Sequence, residues 1–229
     1  MITFGSLFAG IGGFDLGFER AGMVCKWQVE IDDYATRVLE KHWPDVTRWR
    51  DVRQCFDMPT VDGICGGFPC QDLSSANTRG RKKLDGKKSG LWNELKRIIE
   101  CVKPKWVCIE NVANWRDWVP SVRLDLWRLG YTSLSFQLCA SQFGAYHKRP
   151  RVFVFADSNS KSKSLSTIHE KVASLRQATG SVREQFEDIA GFVPRTDGVS
   201  QWMARAYGNS LSPIVSEWIG RRIVESIDL

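Results

Sequence analysis

No two of the seven cysteines are spaced as CxxC, and only three histidines (His42, His147 and His169) are available as metal ligands. A metal site is therefore not expected. The cysteine count is odd, and most of the thiols lie inside apolar runs. They read as small core residues in a reducing, cytoplasmic setting, not as a disulfide framework. No apolar run is long enough to span a bilayer, and the first residues carry no basic–apolar–small signal pattern, so no membrane partner is expected. No internal repeat interrupts the 229 residues, enough for one sizeable core with a small appendage.

What is present is 43% hydrophobic and 25% charged residues, the balance of an ordinary globular protein. The net charge is +6 with a pI near 9.0, which points to an anionic partner once the charge is located.

Ile2 to Phe8 is a short apolar run that reads as a buried strand. It leads into Ala9-Gly10-Ile11-Gly12-Gly13. Phe14, Phe18 and Ala21 then recur at helical spacing, and Gly22 suits the helix stop. Glycines there let backbone approach a ligand and leave helix N–H groups free. The dinucleotide pattern GxGxxG fails, because its last glycine position holds Asp15. Cys25 to Glu30 reads as a second strand ending in an acid, about 20 residues beyond the loop. There a nucleotide site places a carboxylate for ribose hydroxyls; a helix-capping acid is the structural alternative. Asp51 follows a further short element and suits either the ligand crevice or the N-cap of the next helix.

Val61 to Gly67 is a strand running into a glycine turn, and Pro69-Cys70-Gln71 makes a rigid corner. In an open sheet the C-terminal strand ends form the ligand crevice, so Cys70 belongs beside whatever the first glycine loop holds. From Arg79 to Lys88 lie Arg79, Arg81, Lys82, Lys83, Lys87 and Lys88, with one acid, Asp85. Most of the net positive charge is thus concentrated just past Cys70. This suits a loop that closes over a nucleic-acid backbone. Leu91 to Val102 is an amphipathic helix, and Lys105 to Ile109 a buried strand delivering Glu110-Asn111-Val112.

Gly66-Gly67-Phe68-Pro69-Cys70-Gln71-Asp72-Leu73-Ser74 resembles the catalytic motif of the DNA cytosine-5 methyltransferases. Phe8-Ala9-Gly10-Ile11-Gly12-Gly13-Phe14 is similar to that family's S-adenosylmethionine loop. The resemblance covers nearly the whole chain in order and suggests a compact bacterial or phage-type member. It implies an α/β, Rossmann-like, S-adenosylmethionine-dependent methyltransferase fold. Its sheet would be seven-stranded and mostly parallel, with helices on both faces and a small, reduced target-recognition segment.

The resemblance also implies roles. Cys70 is the nucleophile that adds at cytosine C6, with Pro69 fixing its geometry. Glu110, in a Glu-Asn-Val segment, meets the ring N3 and exocyclic amine of a base extruded from the duplex. Arg149 and Arg151 match the arginines that approach O2 and the backbone; His147 stands where the family has glutamine and receives no role. The cofactor pocket would draw on Phe8, Ala9, Gly10, Gly12, Gly13, Glu30, Ile31, Asp51 and Leu91. Asn209 and Ser210, before a terminal helix begun by Ser212-Pro213, would close it. That helix would bury Ile214, Val215, Trp218, Ile219 and Ile223.

Residues 1–156 form the expected catalytic domain, and 196–229 return to it. Between them, 157–195 is the reduced recognition or linker segment, with Asp157 to Ser166 read as linker. It has only about 40 residues, near the lower limit for an independent unit. The expected activity is methyl transfer to C5 of cytosine in duplex DNA, as in restriction–modification systems. The shortness of the segment raises an alternative, a non-catalytic or partner-dependent subunit whose second chain supplies target recognition. A tRNA-modifying branch of the family is a further alternative, but its Cys-Phe-Thr segment is absent.

Overall fold

The computed structural model describes residues 1–69, 90–112, 114–145, 148–159, 163–178 and 211–227. In chain order the elements are β1 (Thr3–Leu7), α1 (Gly13–Arg20), β2 (Val24–Val29), α2 (Asp33–His42), β3 (Thr47–Trp49) and β4 (Gly63–Gly66). Then come α3 (Leu91–Val102), β5 (Trp106–Val112), α4 (Val119–Arg128), β6 (Thr132–Cys139), β7 (Pro150–Asp157), α5 (Lys163–Ala178) and α6 (Pro213–Ile227). The seven strands form one sheet in the order β3-β2-β1-β4-β5-β7-β6. Only β7 runs against its neighbours, antiparallel to both β5 and β6.

Successive strand side chains face opposite ways, so each central strand feeds two cores. In β5, Val107 and Ile109 enter one core with the buried faces of α3 and α4. Trp106 and Cys108 enter the other, with Phe14 and Phe18 of α1, Ile168 and Val172 of α5, and Val215, Ile219 and Ile223 of α6. This burial on both faces explains why β5 and β7 read as nearly continuous apolar runs.

The C-terminal helix is seated by small residues. Gly13 and Gly17 lie on one side of α1, and a Cβ added to Gly17 would come within 2.1 Å of Ser216 Oγ. Ser216 Oγ donates to Gly13 O at 2.7 Å. The expected return of the C-terminus to the first strand's side of the sheet is thus present. One residue departs from it: Ile214 is 42% exposed, because the inward stripe runs through Val215, Ile219 and Ile223.

Two other sequence expectations change. The strand carrying Glu110 does not stop at Ile109. It runs to Val112, because β7 continues to pair with it through Val112 opposite Arg151. The linker reading of Asp157 to Ser166 also gives way. Asp157 ends β7, and Lys163 already begins α5, whose Ser164 donates to Asp157 Oδ2 at 2.5 Å. Ile168, four residues on, is fully buried.

Strand β1 lies between β2 and β4, so the chain leaves the sheet's centre in both directions. Ligands of open α/β sheets bind at such a reversal, beyond the C-terminal strand ends. The loops after β1 and β4 both emerge there.

Candidate active site

The loop after β1 opens with a residue in the left-handed region, Phe8 at φ 54°. Ala9 N–H then donates to Val29 O at 3.1 Å, and Gly12 N–H to Ala9 O at 3.0 Å. Gly10 has φ 58°, and a Cβ built on it would meet nothing within 4 Å. Its backbone therefore borders open space at the crevice. Gly13 begins α1, while Gly12 caps it at φ 87°.

Glu30 leaves the end of β2 and folds over this loop. Its Oε2 accepts from Gly10 N at 2.7 Å, and its Oε1 from Asp32 N at 2.8 Å. Burial raises its pKa above the ordinary value against these hydrogen bonds. Glu30 thus ties the glycine loop to the start of α2, and each oxygen keeps a further lone pair for a ligand. It is not the cap of α2; Asp32 is, accepting from Ala35 N at 2.9 Å. The neighbouring Ile31 is 61% exposed. Asp51 takes the capping role: it accepts from Arg53 N at 3.0 Å and pairs with the Arg53 guanidinium at 2.7 Å. Leu91 is the first residue of α3 and packs half-buried against the core.

Sequence reasoning missed the support beneath this loop. Asp15, noted only as the residue that breaks a dinucleotide pattern, is fully buried. Ser6 Oγ, Gln28 Nε2 and Cys25 Sγ donate to it at 3.0, 2.8 and 3.4 Å. Arg48 donates in turn to Gln28 Oε1 at 3.0 and 2.7 Å. Burial pushes the Asp15 carboxyl up. The only sequence signal was an acid within an otherwise apolar helix face.

The loop after β4 is shaped by close approach. A Cβ on Gly66 would sit 2.7 Å from Leu7 O, and one on Gly67 would sit 2.7 Å from Glu110 Oε2. Phe68 is buried between Trp92 and Trp118, with ring centroids 5.9 and 5.8 Å away. Asn111 Nδ2 donates to Phe68 O at 3.0 Å. Pro69 is thereby held next to the end of β5. Cys70 follows it and lies outside the described residues, as do Arg79, Arg81, Lys82, Lys83, Lys87, Lys88, His147, Asn209 and Ser210.

Glu110 faces this turn and is only 9% exposed. Its Oε1 meets Arg151 Nε at 2.7 Å. The two side chains come from adjacent antiparallel strands in diagonal register, Glu110 opposite Phe153 and Arg151 opposite Val112. Burial pushes the Glu110 pKa up to about 7, against the pull of Arg151 and Arg149. Arg149 is itself left-handed at φ 41°, and its pKa is lowered by burial and by Arg151. The structure therefore brings together Gly67, Pro69, Glu110, Arg149 and Arg151. A carboxyl poised near neutrality can donate or accept a proton toward a ring nitrogen and its amine. The adjacent guanidiniums can hold carbonyl or phosphate oxygens.

Residues 2–202 match the family model described as C-5 cytosine-specific DNA methylase. The Bacillus subtilis Type II methyltransferase M2.BsuMI is 36% identical over 160 residues, 66% of this chain and 41% of that protein. The Haemophilus parahaemolyticus Type II methyltransferase M.HhaI is 31% identical over 165 residues, 69% of this chain and 50% of its own length. The chain thus spans half or less of the length of these curated relatives. Among solved structures, an E. coli prophage-encoded chain, studied as a candidate DNA modification methyltransferase, superposes over all of both chains. Its TM-score is 0.69 at 20% identity. The S. pombe Dnmt2 methyltransferase reaches a TM-score of 0.58 at 20% identity, over 70% of this chain and 52% of that one. At that identity the likeness concerns the fold.

Proposed function

This chain belongs to the C-5 cytosine-specific DNA methylase family, and from that premise we propose that it transfers a methyl group from S-adenosylmethionine to C5 of cytosine in duplex DNA. One observation carries the reading. Glu110, about half protonated near pH 7, is paired with Arg151 beside the Gly67 turn that leads into Pro69, the residue before Cys70 in sequence.

The chemistry follows from the residues. Cytosine C5 is a poor nucleophile until a thiolate adds at C6. Cys70 supplies that thiolate, and Glu110 supports the addition by giving N3 a proton or hydrogen bond and accepting from the exocyclic amine. Arg149 and Arg151 hold the O2 side of the base and the adjoining phosphate. The addition makes C5 electron-rich enough to accept a methyl group; once C5 carries it, loss of the C5 proton breaks the bond to Cys70 and restores the ring. Reaching C6 and N3 together requires the base to leave the helix. The basic residues Arg79, Arg81, Lys82, Lys83, Lys87 and Lys88 would grip the backbone while it is out.

The crevice fits the proposed cofactor. Backbone at Gly10 borders open space without side-chain bulk, Phe8, Ala9, Gly12 and Gly13 would shape the rest of that loop around the ligand, and Glu30 offers acceptors for ribose hydroxyls. Ile31, Asp51 and Leu91, with Asn209 and Ser210, would complete the set. S-adenosylmethionine, when bound there, supplies an electrophilic methyl for C5.

A second reading has its own support. Only about 40 residues, 157–195, separate the last strand from the C-terminal segment, near the lower limit for an independent unit, and this favours recognition supplied by a second chain. Residues 157–195 are then a reduced recognition or docking segment. The test is incubation of the purified chain with labelled cofactor and mixed-sequence duplex DNA or tRNA, followed by nucleoside analysis. 5-Methylcytosine in DNA, lost in Cys70→Ser, is expected. Label in tRNA alone would overturn the DNA assignment, and activity appearing only with an added protein would favour the two-chain reading.

A further inference from the structure

We propose that Trp115 and Arg116 form a contact for a nucleic-acid strand beside the target base, a stacking platform with a guanidinium laid over it. The proposal rests on the nucleic-acid reading above but not on catalysis. Trp115 lies in the short 3-10 turn Trp115–Asp117, just past the end of the strand that bears Glu110. It is therefore at the C-terminal edge of the sheet, on the side where the candidate site lies.

The turn is held firmly, yet these two side chains are not used to hold it. Trp118 is fully buried, and its Nε1 donates to Val112 O at 3.2 Å. Asn114 Nδ2 donates to Asp117 Oδ2 across the turn. The core therefore anchors both ends, and Trp115 is left 47% exposed. Arg116 is exposed too, with its guanidinium carbon 5.4 Å from the centroid of the Trp115 ring.

A large indole is costly to leave in water, and here a fixed scaffold presents it with a cation. Together they match an unstacked base and its phosphate. The ring offers a face to any base, and the guanidinium offers donors to the adjacent phosphate. Extruding a cytosine disrupts stacking beside it, which creates such a base close to the site. Arg149 and Arg151 make the same rim cationic, and Lys148 beside them is exposed. Charge therefore favours a nucleic acid over an acidic protein partner only when the aromatic contact is also used, which is what the test examines.

The experiment measures binding of a fluorescein-labelled, mixed-sequence single-stranded oligonucleotide and of its duplex by anisotropy. Trp115→Ala and Arg116→Ala are each expected to weaken single-strand binding about five- to tenfold, and Trp115→Phe to retain most of it. Trp127→Ala serves as the control, since Trp127 is 70% exposed at the far end of α4; it is expected to bind like the wild type. Thermal melting of every variant within about 2 °C of the wild type separates the contact from folding. Unchanged binding in Trp115→Ala and Arg116→Ala, equal loss in Trp127→Ala, or no oligonucleotide binding by the wild-type chain overturns the proposal. Because binding needs no turnover, a wild type that binds through Trp115 without making 5-methylcytosine sinks the catalytic reading and leaves this one standing. A wild type that methylates DNA while Trp115→Ala keeps its affinity and its KM for DNA does the reverse.

Discussion

Glu110 is buried among groups that disagree about its charge. Burial raises its pKa from the ordinary 4.5 to about 7, while Arg151 and Arg149 pull it down. A carboxyl raised on folding contributes stability that is complete below pH 4.5 and is lost as pH rises through 7. The loss is on the order of 3 kcal/mol across that window. Urea unfolding of the wild type and Glu110→Gln at pH 5 and pH 7.5 is therefore expected to show the variant gaining on the wild type as pH rises. A difference that stays constant with pH would remove Glu110 as the titrating group. Gly67→Ala tests the same carboxyl from the other side. The added Cβ, 2.7 Å from Glu110 Oε2, can be relieved by a swing of the carboxylate. Stability should fall by no more than about 1 kcal/mol, while methyl transfer should drop at least about 100-fold, a loss typical of a misplaced acid–base group. Equal activity would mean that the position of Glu110 does not matter to the reaction. Glu110, Arg149 and Arg151 were singled out in the sequence through the resemblance to the family's motifs; their types alone fit a structural carboxylate and a general phosphate contact equally well. The ion pair was not legible there. It depends on the diagonal register of two antiparallel strands about forty residues apart, and spacing along the chain does not encode that register.

At the scale of elements, the packing of α1 on α6 depends on missing side chains. A Cβ on Gly17 would press on Ser216 Oγ, Glu217 N and Pro213 O within 2.5 Å. Backbone atoms cannot step aside as a flexible side chain can, so Gly17→Val is expected to cost about 3 kcal/mol or more. Denaturant unfolding would read this directly, and a cost below about 1 kcal/mol would show that the helices slide apart freely. Helices and strands with strong apolar periodicity were the readable part of the fold: α3 spans the predicted Leu91–Val102. Less readable was α5. Its serines and lysines resemble a linker, yet Ile168 and Val172 reach the core and Ser164 fastens it to Asp157. Leu165, Ile168, Val172 and Leu175 do recur at helical spacing and pack on the core, but the polar first turn hid where the helix begins, and tertiary packing decides that. The Asp15 network was hidden for a related reason. Its members come from β1, α1, β2 and β3 and meet only once the sheet has formed.

For the whole molecule, the seven-stranded sheet with its two cores is the frame, and Gly67, Pro69, Glu110 and Arg151 meet at the ends of β4 and β5. The bond from Ser216 to Gly13 joins positions 203 residues apart. During synthesis the glycine face of α1 is made well before α6, which covers it. Contacts of such separation must wait until the 203 further positions have been made, so the early sheet grows with one apolar flank open to water. Hydrogen exchange pulsed during refolding is expected to protect β1, β4 and β5 before α1. Simultaneous protection would show that α1 orders without its cover. A ribosome that stalls before residue 213 would thus hold out a sticky, half-covered sheet, an object for chaperones to recognise.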